Sequence, residues 1–245
     1  MAFDPRIPYD DLPLLPPATD VETKAVLKQC LAATRALAEL KGAGGLIPDQ
    51  TILINAIPLQ EAKLSSEIEN IVTTQDALFR AALDEASVTD PQTKEVIRYR
   101  TALRRGYEVL IHSRYIIQNK ADYYRLLRGV TEAGEWELWL LYILRGIEET
   151  ANWTTNRIQA IRDLFDATVE RCRRDLPKVY SKELIEMIFR QPYCKIQFVV
   201  DAGIAKRQTA SEYLQQLEGI GVLTGERRGR EVIYKHPALV EVLTA

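Results

Sequence analysis

The sequence predicts a mainly α-helical protein, a helical bundle followed by a small C-terminal module of short helices and one β-hairpin. Three observations predict it. Apolar residues recur at three- and four-residue steps through most of the chain up to about residue 175. Near the C-terminus, VLTGERRGREVIYKHP sets apolar residues on both sides of a Gly–Arg turn, the pattern of a hairpin. With 245 residues, 47% of them hydrophobic, the chain can also bury a sizeable core in one large or two smaller domains.

Taken in order, VETKAVLKQCLAATRALAELKG (21–42) reads as a helix and GGLIPDQTILINAIP (44–58) as a turn and helix. In LQEAKLSSEIENIVTTQDALF (59–79), Leu64, Ile68, Ile71 and Val72 form one apolar helical face. Ser65 stands four residues before Glu69, which puts both on the same face one turn apart. On residue types alone, that serine caps free backbone N–H groups and that glutamate sits in solvent. Asp90-Pro91 is a helix start, with Asp as N-cap and Pro at the first helical position. From there TKEVIRYRTALRRGYEVLIHSRYII reads as one long helix, although Gly106 costs it about 1 kcal/mol relative to Ala. Trp136, Trp139, Leu140 and Ile143 form an apolar stripe on the next helix, and Trp153 opens another. An aromatic stripe at this spacing is a core face. The charged helix IRDLFDATVERCRRD ends near Asp175-Leu176-Pro177, where a domain boundary is expected.

Beyond that boundary, SKELIEMIFRQP (181–192) is an amphipathic helix stopped by proline, and KIQFVVDAG (195–203) a short helix closed by a glycine. AKRQTASEYLQQLEGIG (205–221) is a third helix with Ala210, Leu214 and Leu217 facing inward, and the hairpin follows. Three helices and a hairpin in this order resemble a winged helix-turn-helix domain. In that fold the third helix enters the major groove of DNA and the wing touches phosphates. The resemblance implies DNA contacts from Lys206, Arg207, Gln208, Thr209 and Ser211 on the helix, and from Arg227, Arg228 and Arg230 on the wing. Residues 178–236 hold ten Lys/Arg against seven Asp/Glu, a net +3, while the remainder of the chain is −5. Glu212, beside the reading face, opposes a phosphate. A protein-interaction or homodimerisation domain of the same fold is the equal alternative, because fold alone does not fix function.

Global composition excludes little else. The net charge of −2 points neither to nucleic acid nor to a membrane. Cys30, Cys172 and Cys194 are widely spaced with no CxxC pair, and read as buried or inert thiols of a reducing cytoplasm. The acidic, proline-rich opening is no secretory leader, and no apolar run reaches the ~18–20 residues that span a bilayer, so a cytoplasmic protein is expected.

Ser65-Ser66-Glu67-Ile68-Glu69-Asn70 fits (S/T)xxxE(G/N), the inhibitory motif of Fic-family proteins, which transfer AMP from ATP to protein hydroxyls. The proline-rich lead DDLPLLPPATD (10–20), the helix 21–42, the segment 44–58 and the motif follow one another as in that family's N-terminal domain. The chain thus resembles a Fic-family protein adenylyltransferase with an N-terminal inhibitory helix and a C-terminal winged helix. The resemblance implies that Ser65, Glu69 and Asn70 form the inhibitory element. In the family, Glu69 would pair with an active-site arginine and keep the ATP γ-phosphate from seating, as a bidentate carboxylate–guanidinium pair can. Tyr124, the second tyrosine of the YY pair, would be a remnant of the adenine pocket whose present role is packing.

The family's catalytic signature, HxFx(D/E)GNGRxxR, supplies a general base, a Mg²⁺ ligand, a phosphate cradle and charge-neutralising arginines. It occurs nowhere in this sequence. The two histidines, His112 in LIHSRYII and His236 in YKHPAL, are not followed by a GNGR run. RYRTALRRGYEVL (98–110) resembles the helix before the catalytic core, and HSRYIIQNKADYYRLLRGVTEAGEWELWLLYIL (112–144) the helices after it. The join near Leu110–Ile111 therefore omits on the order of a hundred residues, a common domain-sized piece. The expected organisation is an inhibitory region over 1–110, post-core helices over 111–177 and a winged helix over 178–245. No catalytic residue and no cofactor of its own is expected, although the family uses ATP and Mg²⁺. Three readings follow: an inactive Fic homologue retaining regulatory and DNA-binding parts, an inhibitor acting in trans on an intact Fic protein through Glu69, or a shortened form of an autoinhibited adenylyltransferase.

Overall fold

The computed structural model describes residues 15, 17–46, 62–63, 66, 73–81, 90–105, 113–228 and 231–244. Its elements in chain order are α1 (Lys24–Ala43), α2 (Gln75–Ala81), α3 (Pro91–Arg105), α4 (Ser113–Gln118), α5 (Lys120–Ala133), α6 (Trp136–Asp175), α7 (Lys182–Phe189), β1 (Tyr193–Lys195), α8 (Ile196–Asp201), α9 (Arg207–Gly219), β2 (Thr224–Arg228), β3 (Glu231–Lys235) and α10 (Pro237–Thr244). The fold is mainly helical, with one antiparallel sheet of order β1-β3-β2 near the C-terminus.

Local chemistry sets several boundaries. Thr23 accepts from the Val26 N–H at 3.3 Å, so α1 begins there, three residues after the expected start. Asp90 caps α3 as predicted, accepting from the Thr93 N–H at 2.7 Å with Pro91 at the first helical position. The Thr93 hydroxyl in turn lies 2.7 Å from that of Thr73 in a buried pair, which ties the approach to α2 onto α3. The join near Leu110–Ile111, together with Gly106, lies outside the described residues; helix is present on both sides of it, in α3 and α4.

Helix α6 is the spine. It runs unbroken for 40 residues, so Trp153 lies in mid-helix and does not open a new one. Gly146, the apparent weak point, is a packing requirement: a Cβ there would come within 2.7 Å of the Tyr115 ring. Along α6, Gly146, Thr150, Ala151, Thr154, Ile158, Ile161, Phe165, Thr168 and Cys172 are buried at three- and four-residue steps. Helix α1, with Ala33 and Ala36 buried, lies along α6. Gln29 of α1 donates to Glu148 at 2.5 Å. The larger residues of the second half join Leu184, Ile185, Phe189, Val199, Leu214, Leu217, Tyr234, Leu239 and Leu243 in one hydrophobic cluster, which also takes in Leu78, Phe79, Val96 and Ile97. A smaller cluster of Tyr115, Leu126 and Tyr142, with Tyr123, Trp139 and Ile143 against it, fixes α4 and α5 to the start of α6.

Two elements were not apparent from sequence. Residues 193–195 form the strand β1 before the expected short helix, pairing Tyr193 with Lys235 and Lys195 with Ile233. Past the hairpin, α10 returns to α6, where the buried Arg157 donates to the Val242 carbonyl and stacks 4.3 Å from the Trp153 ring. Cys172 and Cys194 are buried and free, with burial pushing the Cys194 thiol up to about 12. Cys30 is exposed, about a quarter-turn around α1 from the middle of the Ala33–Ala36 face.

His236 caps α10. Its Nδ1 accepts from the Leu239 N–H at 3.2 Å, and its ring stands edge-on to Phe189 at 4.9 Å. Its buried Nε2 has no hydrogen-bond partner among the described residues. Burial disfavours the imidazolium and lowers the pKa from 6.5 to about 4.

Two predictions follow from these contacts. At Gly129 the obstacle to a Cβ is the carboxylate end of the Glu135 side chain at 2.6 Å, which can move, whereas at Gly146 it is a packed ring. Gly129→Ala is therefore expected to stabilise by up to ~1 kcal/mol through helix propensity. Gly146→Ala is expected to destabilise by about 1–3 kcal/mol through overpacking, both read by urea unfolding. At His236 the unfolded chain binds a proton near pH 6.5 and the folded chain only near 4. Stability is thus complete above about pH 6.5 and falls as pH drops through that window, by about 3 kcal/mol in total. His236→Asn keeps a capping side chain, and in unfolding curves across that window it should flatten the acid limb.

Candidate nucleic-acid interface

The C-terminal module builds an exposed polar face from the turn between α8 and α9. Helix α8 ends in a Schellman arrangement: Gly203, at φ 67°, donates to the Val200 carbonyl at 2.9 Å, and Ile204 donates to that of Val199 at 3.1 Å. The chain is thereby turned into α9, and Val199, Ala210, Leu214 and Leu217 pack the two helices together. The inward positions predicted from sequence are the ones buried.

What remains outside is the face the sequence singled out. Lys206, Arg207 and Gln208 are exposed, and Thr209 and Ser211 are half-buried. Lys206 occupies the N-cap position, and the first turn of α9 carries no acidic residue. Free N–H groups, the positive end of the helix dipole and two cations thus coincide, an arrangement that attracts phosphate. Arg207 donates from Nη1 to Gln197 Oε1 at 3.3 Å, and Gln197 donates from Nε2 to Asp201 Oδ1 at 2.7 Å. Asp201 therefore fixes the Gln197 amide, which orients the guanidinium. Sequence reading missed Gln197 and Asp201, because their role depends on α8 crossing the start of α9. Gln208 reaches Glu212 at 3.3 Å.

The hairpin supplies the second half of the face. β2 and β3 pair from Thr224↔Lys235 to Arg228↔Glu231. Glu218 of α9 accepts from the Gly225 N–H at 2.7 Å and fixes the base of the hairpin. Arg227 is exposed, Arg228 closes β2, and Arg230 lies outside the described residues. Both carboxylates of the strands are paired: Glu231 with Lys195 at 2.9 Å and Glu226 with Arg80 of α2 at 2.8 Å.

The inhibitory-motif residues Ser65, Glu69 and Asn70 lie outside the described residues, while their neighbours Ala62 and Ser66 are buried. Tyr124 is 54% exposed and meets the Tyr123 ring edge-on at 5.2 Å. Among the described residues, no group of three or more His, Cys, Asp or Glu converges as a metal site, and no helix is long and apolar enough to cross a membrane.

Two family models match the chain. Residues 27–108 match the Fic/DOC family N-terminal domain, and residues 164–239 match the C-terminal domain of SoFic-like protein adenylyltransferases. Together they support a protein related to the Fic-family adenylyltransferases. The Fic N-terminal match takes in the motif 65–70 and continues through α2, including Arg80. The SoFic-like match runs from the second half of α6 through the start of α10.

Proposed function

We propose that this chain is a Fic-related regulator that does not itself transfer AMP and that binds DNA through a winged-helix module at its C-terminus. The observation that carries the DNA half is the joint exposure of Lys206, Arg207 and Gln208 at the start of α9 and of Arg227 on the hairpin. The order helix, strand, helix, turn, helix, hairpin supports the winged-helix reading. Base contacts fall to Gln208, Thr209 and Ser211, and phosphate contacts to Lys206, Arg207 and the hairpin arginines Arg227, Arg228 and Arg230. The absence of HxFx(D/E)GNGRxxR from the sequence supports the non-catalytic half. On this reading the chain needs neither ATP nor Mg²⁺.

Mobility-shift titrations with the gene's upstream region across a range of salt concentrations test the DNA half. The expected result is an affinity that falls steeply with salt. Lys206→Ala and Arg227→Ala should each reduce the slope by about one unit, as loss of one phosphate contact does. A shift that is absent, or one indifferent to salt, overturns the reading.

The Fic N-terminal match favours a second activity, inhibition in trans. Here Glu69 would pair with the active-site arginine of an intact Fic enzyme, with Ser65 and Asn70 completing the motif. Incubated with labelled ATP and Mg²⁺, the chain alone should take up no label. Co-expressed with an intact homologue it should suppress that enzyme's AMP transfer, and Glu69→Ala should lift the suppression. Label on the chain alone would overturn the non-catalytic reading, and equal transfer with and without the chain rules out inhibition.

A further inference from the structure

The end of α6 and the corner that follows it gather cations. Residues 171–178 hold Arg171, Arg173, Arg174 and Lys178 against Asp175 alone. Cations in the last turn of a helix complement its dipole, which accounts in part for Arg173 and Arg174. Lys178 lies past the helix end, exposed and without an ion pair among the described residues. Arg173 is held by an uncharged partner: it donates to the Tyr180 hydroxyl at 2.9 Å, and its guanidinium carbon lies 4.9 Å from the centre of that ring. One carboxylate, Asp175, serves both Arg174 at 2.8 Å and Arg171 at 3.9 Å. Glu170 also acts on Arg174, whose side chain is 72% exposed. The corner thus offers oriented cations that its own carboxylates do not balance.

This corner stands beside the outer face of α9. Leu176, the residue that caps α6, shares a shallow groove of about 430 Å³ with Glu212, Gln215, Gln216, Gly219 and Ile220. Just past the end of α9, a Cβ placed on Gly221 would lie 3.7 Å from Arg171 Nη2. The hairpin stands on the other flank: Glu218 accepts from the Gly225 N–H, and Arg227 beyond it is exposed. At about 100° per residue, Gln216 and Ile220 each project about 160° away from Glu218. Gln208, Glu212 and Gln215, all exposed, lie between the two flanks. Val179 is buried and Leu176 packs on the same core, so the core and not a loose tether sets the corner's place beside α9.

A helix seated in the major groove has a phosphate backbone on each side of it, about 12 Å apart. We infer that Arg173, Arg174 and Lys178 form a second phosphate-binding site, which holds the backbone opposite the one met by Arg227. The inference rests on the DNA-binding reading above and extends it to the end of α6. The corner and the hairpin grip the two backbones while the outer face of α9 meets the bases. Contact on both sides fixes how far α9 is rotated about its axis in the groove, since phosphate contacts set register and orientation. Held in place before DNA arrives, the corner costs little ordering on binding.

The test uses the full chain and a duplex that the wild type shifts. Lys178→Ala and Arg174→Ala are each expected to lower the slope of log affinity against log salt by about one unit, and the double variant by about two. Lys178→Arg should keep the wild-type slope. The ranking of duplexes of different sequence should not change, because phosphate contacts carry no base information. Ethylation interference locates the contacts. The phosphates that matter to the wild type should form two groups, one on each side of the major groove. Lys178→Ala should lose one group and Arg227→Ala the other. Loss of both groups together in Lys178→Ala marks a merely structural role and overturns the assignment. A wild type that binds no duplex removes the DNA reading and this inference together. A wild type that binds, with slope and interference pattern unchanged in Lys178→Ala and Arg174→Ala, overturns the corner site and leaves the α9 and hairpin contacts standing.

Discussion

The rest of the structure depends on one constraint, the continuity of α6. Forty helical residues rise about 60 Å, longer than a typical small domain is wide. Its buried stripe changes character along that length. Gly146 is small where the Tyr115 ring packs on it, and Thr150, Ala151 and Thr154 are small and buried on the helix that α1 lies along. Ile158, Ile161 and Phe165 are large and fill the space beneath α7, the sheet and α10. A single helix thus serves two packing regimes, tight helix-on-helix contact first and an interdigitated core second. A break anywhere in it would leave the two halves joined only by their smaller contacts.

Those smaller contacts reinforce the same geometry. Arg157 binds the Val242 carbonyl near the end of α10, so the chain's last helix is held to the middle of the spine. The hydrophobic cluster extends without interruption from Ala43 through Phe79 and Val96 to Leu243. The region matched by the Fic N-terminal model and the region matched by the SoFic-like model therefore share one core. Removal of side chains at that seam is a loss for both.

The C-terminal module was largely legible because its signals are local. Ala210, Leu214 and Leu217 declare an inward face by spacing, Gly203 declares a helix end, and the Gly–Arg turn declares a hairpin. β1 was not legible: three residues are too few to show a two-residue period, and their strand character comes from pairing with β3. α10 escaped because its cap is an imidazole, outside the usual Ser, Thr, Asp and Asn. The unbroken α6 was misread at Trp153 because the change from small to large residues there resembles a new start. No sequence pattern points from Arg80 to Glu226, since the pair exists only through tertiary docking. Ser65 and Glu69 mark the opposite limit, for a serine and glutamate one turn apart are common on helix surfaces and take meaning only from the surrounding resemblance.

The choice between a DNA-binding and a protein-binding module turns on the carboxylates of the module, not on its cations. A net +3 spread over 178–236 is modest, and five acidic residues, Asp201, Glu212, Glu218, Glu226 and Glu231, lie on or beside the proposed face. Glu226 and Glu231 are matched by cations, and Glu218 accepts from the Gly225 N–H. Glu212 is met by a neutral partner, Gln208, as Asp201 is by the Gln197 amide. The place of Glu212 is one turn into α9, past Lys206 and Arg207, where a helix entering a major groove has left the phosphates and faces base edges. A carboxylate there accepts from the cytosine amino group and repels the acceptors of guanine. The residue that seems to argue against DNA therefore argues only against phosphate at that position, and within the proposed reading it is a source of sequence preference.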